Sequence, residues 1–277
     1  MKSVPIVAAK IIDMASKGFE SRAESFWQGI QESSELYDTL LRPTMSGKTK
    51  QRLECLRMIA DSYRILGMRI LHSDGNLNQT QQEEIFRLLF VAVMRWNIEG
   101  RNAQELEGLL QEACKPLWQE GGFASVEKNL HQIIKLECDI PKFLQEGVSV
   151  QWAKAILLTL ETELSGKAAS LNISTLHVEH VAPQKFTDHW KSVFADSDRS
   201  YKDLVEDIGN LTILDSGLNQ AVKQKPFGDK KIEYKKSRSN ITNNLEKLNS
   251  WDEKLISERH FWIERSLASV LSIKPRE

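Results

Sequence analysis

The residues best suited to chemistry lie in one segment, Leu176-His-Val-Glu-His-Val-Ala-Pro-Gln184. On a strand, neighbouring side chains point to opposite sides, so Glu179 and His180 would face different ways. A carboxylate can then hold a metal ion while the adjacent imidazole faces a water molecule. Pro183 would end the strand and leave both groups at its rim. A second segment runs Gly209-Asn-Leu-Thr-Ile-Leu-Asp-Ser-Gly-Leu-Asn219. Here Asn210 precedes a short β-branched run, and Asn219 falls in the first turn of a following helix. Lys223 lies one helical turn beyond Asn219, on the same face. His177 would share the face of Glu179, either as a further ligand or as an exposed strand histidine. Taken singly these signals are weak: a Gly-Asn pair is most often a turn and a helix-start Asn a cap. Their ordered combination is what points to a site.

The elements that position these residues follow from periodicity. Ile173 to Val181 and Leu211 to Leu214 are short, rich in β-branched residues, and bounded by Asn, Gly, Pro and Asp. Helical signals return over Ser216–Lys225 and beyond Phe227. The expected unit is strand, long loop, strand, helix. Ser250 with Glu253 reads as a capping box opening a last helix, whose stripe includes Ile256, Ile263, Leu267 and Val270.

The first 165 residues read as helices. Leu56, Ile59, Tyr63, Leu66 and Ile70 share one face of a 3.6-residue period, with Gly67 weakening that helix without breaking it. A second stripe holds Ile85, Leu88, Leu89, Ala92 and Trp96, capped by Thr80 with Glu83. Leu106, Leu109 and Leu110 begin a third, disturbed by Pro116. Val126 to Leu136 and Trp152 to Leu164 mark two more, and residues 5–43 hold a further two. The expected fold class is α+β, predominantly α. A helical domain over 1–165, for positioning or partner docking, precedes a second domain over 166–277.

Composition limits the function. The 277 residues are 41% apolar and 27% charged, an ordinary globular balance. Lys and Arg number 37 against 38 Asp and Glu, a net charge of −1, so no global charge announces a nucleic-acid or membrane partner. Cys55, Cys114 and Cys138 are widely spaced and form no CxxC pair, which argues against a disulfide framework and a thiolate zinc site. No run approaches the ~20 apolar residues of a membrane span. Lys10 and Asp13 interrupt any signal-peptide core. A cytoplasmic location is expected.

The order Glu-His, Asn, Asn on strand, strand and helix resembles the HNH, or ββα-metal, nuclease motif. More narrowly, Glu-His-Val-Ala-Pro-Gln, Gly-Asn-Leu-Thr-Ile-Leu, Leu-Asn, and Lys-Pro-Phe with Lys230 after it resemble the C-terminal domain of GmrSD-like modification-dependent restriction enzymes. Tyr234-Lys-Lys-Ser and the helix after Trp251 fit the same pattern, over roughly residues 170–270. The Asp-Gly-Gln-Gln-Arg segment typical of the nucleotide-hydrolysing half is absent here, and so are the paired cysteines of many HNH proteins. The chain is therefore expected to be a fragment, a separate subunit or a reduced relative, with a nucleotide-hydrolysing domain or subunit as a candidate partner.

The resemblance implies the roles. His180 is the general base. Asn210 fixes the loop and the orientation of the imidazole. Glu179 and Asn219 hold one Mg²⁺ or Mn²⁺ ion. Lys223 adds positive charge near the phosphate. The stretch 223–238 carries seven basic residues against Asp229 and Glu233, a net charge of +5. Its Lys225, Lys230, Lys231, Lys235, Lys236 and Arg238 read as DNA contacts, the alternative being a solvated helix face. The expected function is metal-dependent DNA cleavage, as a nickase or restriction-type enzyme in defence against foreign or modified DNA. The competing class is a non-catalytic nucleic-acid or protein-binding module on a decayed nuclease core.

Overall fold

The computed structural model describes residues 20–43, 47–72, 77–118, 122–164 and 171–272. Among the described residues the first elements are eight helices: α1 (Glu20–Leu41), α2 (Gly47–Ile59), α3 (Tyr63–Leu71), α4 (Gln79–Ile98), α5 (Ala103–Cys114), α6 (Gly122–Ile134), α7 (Ile140–Gln145) and α8 (Val150–Leu164). Two strands follow, β1 (Leu176–His180) and β2 (Leu211–Asp215), separated by α9 (Asp188–Val193) and α10 (Tyr201–Glu206). The chain then runs through α11 (Ser216–Val222), α12 (Phe227–Tyr234), α13 (Asn240–Asn243) and α14 (Glu253–Leu271). This is an α+β fold, predominantly α. Among the described residues no helix is long and apolar enough to cross a membrane.

Several boundaries differ from the periodicity. The stripe from Leu56 to Ile70 is two helices, because the chain turns at Ala60–Ser62 before α3 resumes the same buried face. Inside α3, Gly67 lets the helix close on Leu40, whose Cδ1 would lie 3.1 Å from an added Cβ. The box at the start of α4 is Asn78 with Gln81, not Thr80 with Glu83: each side chain accepts from the other's main-chain N–H at 3.0 Å. Asp252, not Ser250, caps α14, accepting from the Leu255 N–H at 3.0 Å. Glu253 instead turns back to accept from the N–H groups of Asp198 and Arg199. The loop between the strands holds two short helices that carry no long apolar stripe. The further helix expected before residue 20 and the chain on either side of the expected division at 165/166 lie outside the described residues.

The strands pair antiparallel, Leu176 opposite Asp215 and His180 opposite Leu211. They lie on α8, which buries nearly its whole circumference between α2 on one side and β1, β2 and α14 on the others. The Lys154 ammonium fixes the entry to β1 by donating to the carbonyls of Ile173 at 2.8 Å and Leu176 at 2.6 Å. The Glu161 carboxylate accepts from the Ser239 hydroxyl and from the N–H groups of Asn240 and Ile241, anchoring the start of α13. One hydrophobic core joins the helices to Leu176, Leu211, Ile213, Ile263 and Leu267, so it crosses the expected division at 165/166. A second, smaller core of Val181, Trp190, Leu214, Val222, Phe227, Tyr234 and Trp251 lies under the strand–helix unit.

Candidate functional site

Asn210 is completely enclosed, at the end of a one-turn helix over Ile208–Asn210. Its Oδ1 accepts from the Ala182 N–H at 2.8 Å and the Trp251 indole N–H at 3.0 Å. Its Nδ2 donates to the carbonyls of Ala182 at 2.9 Å and Val205 at 3.0 Å. Its own carbonyl takes the Val181 N–H, continuing the strand ladder by one bond. The side chain therefore spends all its capacity on the loop backbone just after His180 and on the Trp251 ring. It makes no direct bond to the imidazole; its bonds hold the loop that follows His180.

His180 ends β1, half-buried, and its ring makes no hydrogen bond among the described residues. Burial holds its pKa below the ordinary imidazole value; the Glu206 carboxylate opposes that shift and the Lys230 ammonium adds to it. The ring is thus neutral at neutral pH, the form that accepts a proton.

Glu179 points the opposite way, into the protein, and is 7% exposed. Its Oε1 accepts from the Lys230 ammonium at 2.6 Å and the Tyr234 hydroxyl at 3.2 Å. Lys230 also donates to the His180 carbonyl at 2.8 Å. Burial pushes the Glu179 carboxyl up and the Lys230 ammonium down, and their mutual attraction works against both shifts. Tyr234 is pushed well above its ordinary value by the same enclosure, reinforced by the carboxylate. His177, at the exposed end of the same face, takes no part in this cluster.

Asn219 sits in α11, which packs against both strands. Its Oδ1 is buried and has no hydrogen-bond partner among the described residues. A buried amide oxygen left without a donor costs about 1–3 kcal/mol, a cost that a water, another hydrogen-bond donor or a cation would each relieve. Glu179 and Asn219 each offer oxygen donors only, the chemistry that suits Mg²⁺ or Mn²⁺ better than zinc, and no three His, Cys, Asp or Glu side chains group into a metal site among the described residues.

The basic residues divide. Lys223 is exposed, but it is the cap of α11 and not its continuation. Its φ of 38° makes it the one non-glycine residue with positive φ among the described residues, so it does not extend the Asn219 face as expected. Lys225 and Lys235 are exposed, with no ion pair among the described residues. Lys231 donates to the Leu248 carbonyl, Lys236 pairs with Glu233 at 2.9 Å, and Arg238 with Asp215 at 3.2 Å. Lys230 is 0% exposed and belongs to no surface, which corrects its expected contact with DNA.

Sequence reasoning missed three supports. The Arg259 guanidinium of α14 donates to the carbonyls of Gly209 and Leu211, and burial lowers its pKa to about 10. Gly209 is obligatory beneath it, since an added Cβ would lie 2.1 Å from the Ile256 carbonyl oxygen. Asp207 accepts from Arg199 at 2.8 Å and from the Gly209 N–H at 2.7 Å, and meets the His260 ring at 2.9 Å. The only signal for His260 was its place on the helix after Trp251, which says nothing of a partner some fifty residues earlier in the chain.

Residues 140–263 match the family model for the C-terminal domain of GmrSD restriction endonucleases. The match bears out the resemblance to the C-terminal domain of GmrSD-like restriction enzymes, and points to a restriction-endonuclease-like nuclease. It begins at α7, so it takes in α8, the helix on which the strands rest. No curated protein matches the chain.

Proposed function

We propose that this chain is a metal-dependent DNA endonuclease of the HNH type, acting against foreign or modified DNA. One observation carries the reading. The strand–helix unit holds a neutral imidazole free of hydrogen bonds among the described residues, a carboxylate beside it in sequence, and a buried asparagine oxygen without a donor.

His180 would take the proton from the attacking water, and burial keeps it in the form that can do so. Asn210 holds the backbone of residues 181–182, so the rim that carries His180 is fixed before substrate arrives. Glu179 and Asn219 would hold the cation. When bound, it would offset negative charge on the phosphate and on the leaving 3′ oxygen. Lys223, Lys225 and Lys235 are exposed cations on the same stretch of chain and would meet the phosphate backbone.

A phosphodiester centre reads backbone, not bases. Residues 1–170 hold 20 Lys and Arg against 22 Asp and Glu, a poor electrostatic footprint for an independent DNA reader. Recognition is therefore assigned to a partner, a nucleotide-hydrolysing domain or subunit. The test is nicking of supercoiled plasmid by the chain alone, with Mg²⁺, with Mn²⁺ and with chelator. Metal-dependent, weakly selective nicking supports the reading. DNA binding with no cleavage under either metal would leave a binding module instead.

A further inference from the structure

We propose that Lys230 is a positioning residue of this nuclease centre, holding the Glu179 carboxylate and the His180 main chain in one fixed arrangement without touching DNA. The inference rests on the nuclease reading above and assigns Lys230 a place inside it.

The geometry begins with α12. Phe227, Lys230 and Tyr234 fall three and four residues apart and are buried together, so this helix turns one face inward to β1. A lysine on such a face is costly unless its charge is met. Here the ammonium is met twice, by Glu179 Oε1 at 2.6 Å and by the His180 carbonyl at 2.8 Å. Those two acceptors belong to adjacent residues whose side chains point to opposite faces of the strand. One cation thereby ties the inward carboxylate to the main chain of the outward imidazole. Tyr234, one turn on, donates to the same Oε1 at 3.2 Å, so the carboxylate is held from two points of one helix.

This arrangement matches what a bound cation needs from its surroundings, because neighbouring groups that fix a ligand's orientation contribute to affinity beyond the ligands themselves. It also accounts for a lysine inside a basic stretch that has no exposed surface at all. A phosphate could reach Lys230 only after α12 had left the strand.

The experiment uses Lys230→Met and Tyr234→Phe in the full chain. Three quantities are read: Mn²⁺ affinity by calorimetry, DNA affinity against salt in chelator, and nicking at saturating Mn²⁺. Lys230→Met is expected to bind Mn²⁺ ~10–100-fold more weakly and to nick slower by a similar factor. Its DNA affinity and salt slope should stay those of the parent. Tyr234→Phe removes one hydroxyl and should weaken Mn²⁺ binding by less, again with DNA binding unchanged. Unchanged Mn²⁺ affinity in Lys230→Met overturns the role. So does a salt slope lower by about one phosphate, which would make Lys230 a DNA ligand after all. If Lys230→Met does not fold, Tyr234→Phe decides, and parent-like Mn²⁺ affinity in that variant overturns the role. A parent chain that neither binds Mn²⁺ nor nicks defeats the nuclease reading, and this inference with it. A parent that does both, beside variants with unaltered metal affinity, defeats the positioning role alone.

Discussion

The middle of the helical layer, from Ile70 to Leu158, and the strand–helix unit are built on opposite principles. From Ile70 to Leu158, every buried side chain among the described residues is apolar; α4 alone encloses eleven. From Thr159 onward, the interior takes in Glu161, Glu179, Asn210, Thr212, Lys230, Ser239 and Thr242. Nearly all of these meet one another or the backbone. An apolar layer needs only shape and area, and it tolerates change so long as volume is kept. A buried polar network specifies one arrangement, because each group left unmet costs about 1–3 kcal/mol. The first region is a platform. The second fixes particular atoms; among its described residues Trp190 Nε1, Asn219 Oδ1 and Arg259 Nη2 stay unmet, and the Asn219 oxygen belongs to the proposed metal site.

That division can be broken most directly at His180. Replacing it by Ala should lower nicking by ~10²–10⁴-fold, the usual worth of a general base, with stability and DNA affinity little changed. Undiminished cleavage would remove the imidazole from the chemistry. The contrast between platform and network is tested next. Leu88→Ala, in the centre of α4, should cost roughly 2–5 kcal/mol of stability while the nicking rate per folded molecule stays constant. Asn210→Ala should cost about 2–3 kcal/mol by stranding the Ala182 amide and the Trp251 indole, and it should also slow nicking in the molecules that remain folded. Equal rates for the two folded variants would mean that the network positions nothing. Urea titration with parallel nicking assays separates the two quantities.

The basic stretch offers a smaller effect. Replacing Lys223, Lys225 and Lys235 by Ala should weaken DNA binding alike for all sequences, and lower the salt slope by ~0.9 for each phosphate no longer neutralised. The same change at Lys231, Lys236 and Arg238, which are already engaged within the protein, should move the slope less. Identical slopes for the two triple variants would show that pairing in the free protein does not decide which cations meet DNA.

How much of this was legible in the sequence depends on where the information lies. The strands, the helix after them and the order of Glu179, His180, Asn210 and Asn219 were readable, because alternation and turn residues are local. The break at Ala60–Ser62 was not, since one buried face continues across it and periodicity follows the face, not the backbone. Nor was the fate of the basic stretch. The seven cations of residues 223–238 look alike as composition, yet Lys230 is turned inward by its register with Phe227 and Tyr234. That register was visible, but its meaning required knowing that a buried carboxylate lay opposite. The bonds made by Asp207 to His260, by Trp251 to Asn210 and by Arg259 to Gly209 each span some forty to fifty residues of chain, and no local pattern encodes them.

The smallest effect concerns acid. Burial alone would push the Asp207 carboxyl up, but bonds from His260, the Gly209 N–H and Arg199 outweigh it and hold the pKa below the usual carboxylate value. A carboxylate depressed in the folded state adds stability that is complete above its unfolded pKa, ~3.9, and is lost as pH falls through the lower folded value. Asp207→Asn keeps the side-chain oxygen that caps the turn before Asn210 but removes the charge. The variant should therefore be less stable than the parent by about 1 kcal/mol at neutral pH, roughly the difference between a hydrogen bond to a charged group and one to a neutral group. That difference should hold down to about pH 5 and shrink below about pH 4. Urea midpoints of both proteins between about pH 3 and pH 7 read it directly, and other carboxylates, common to both chains, cancel in the comparison. A difference that stays constant down to the acid end of that range would mean that the amide's shape, not the lost charge, is responsible. The polar unit would then owe its fixity at this point to hydrogen-bond geometry alone.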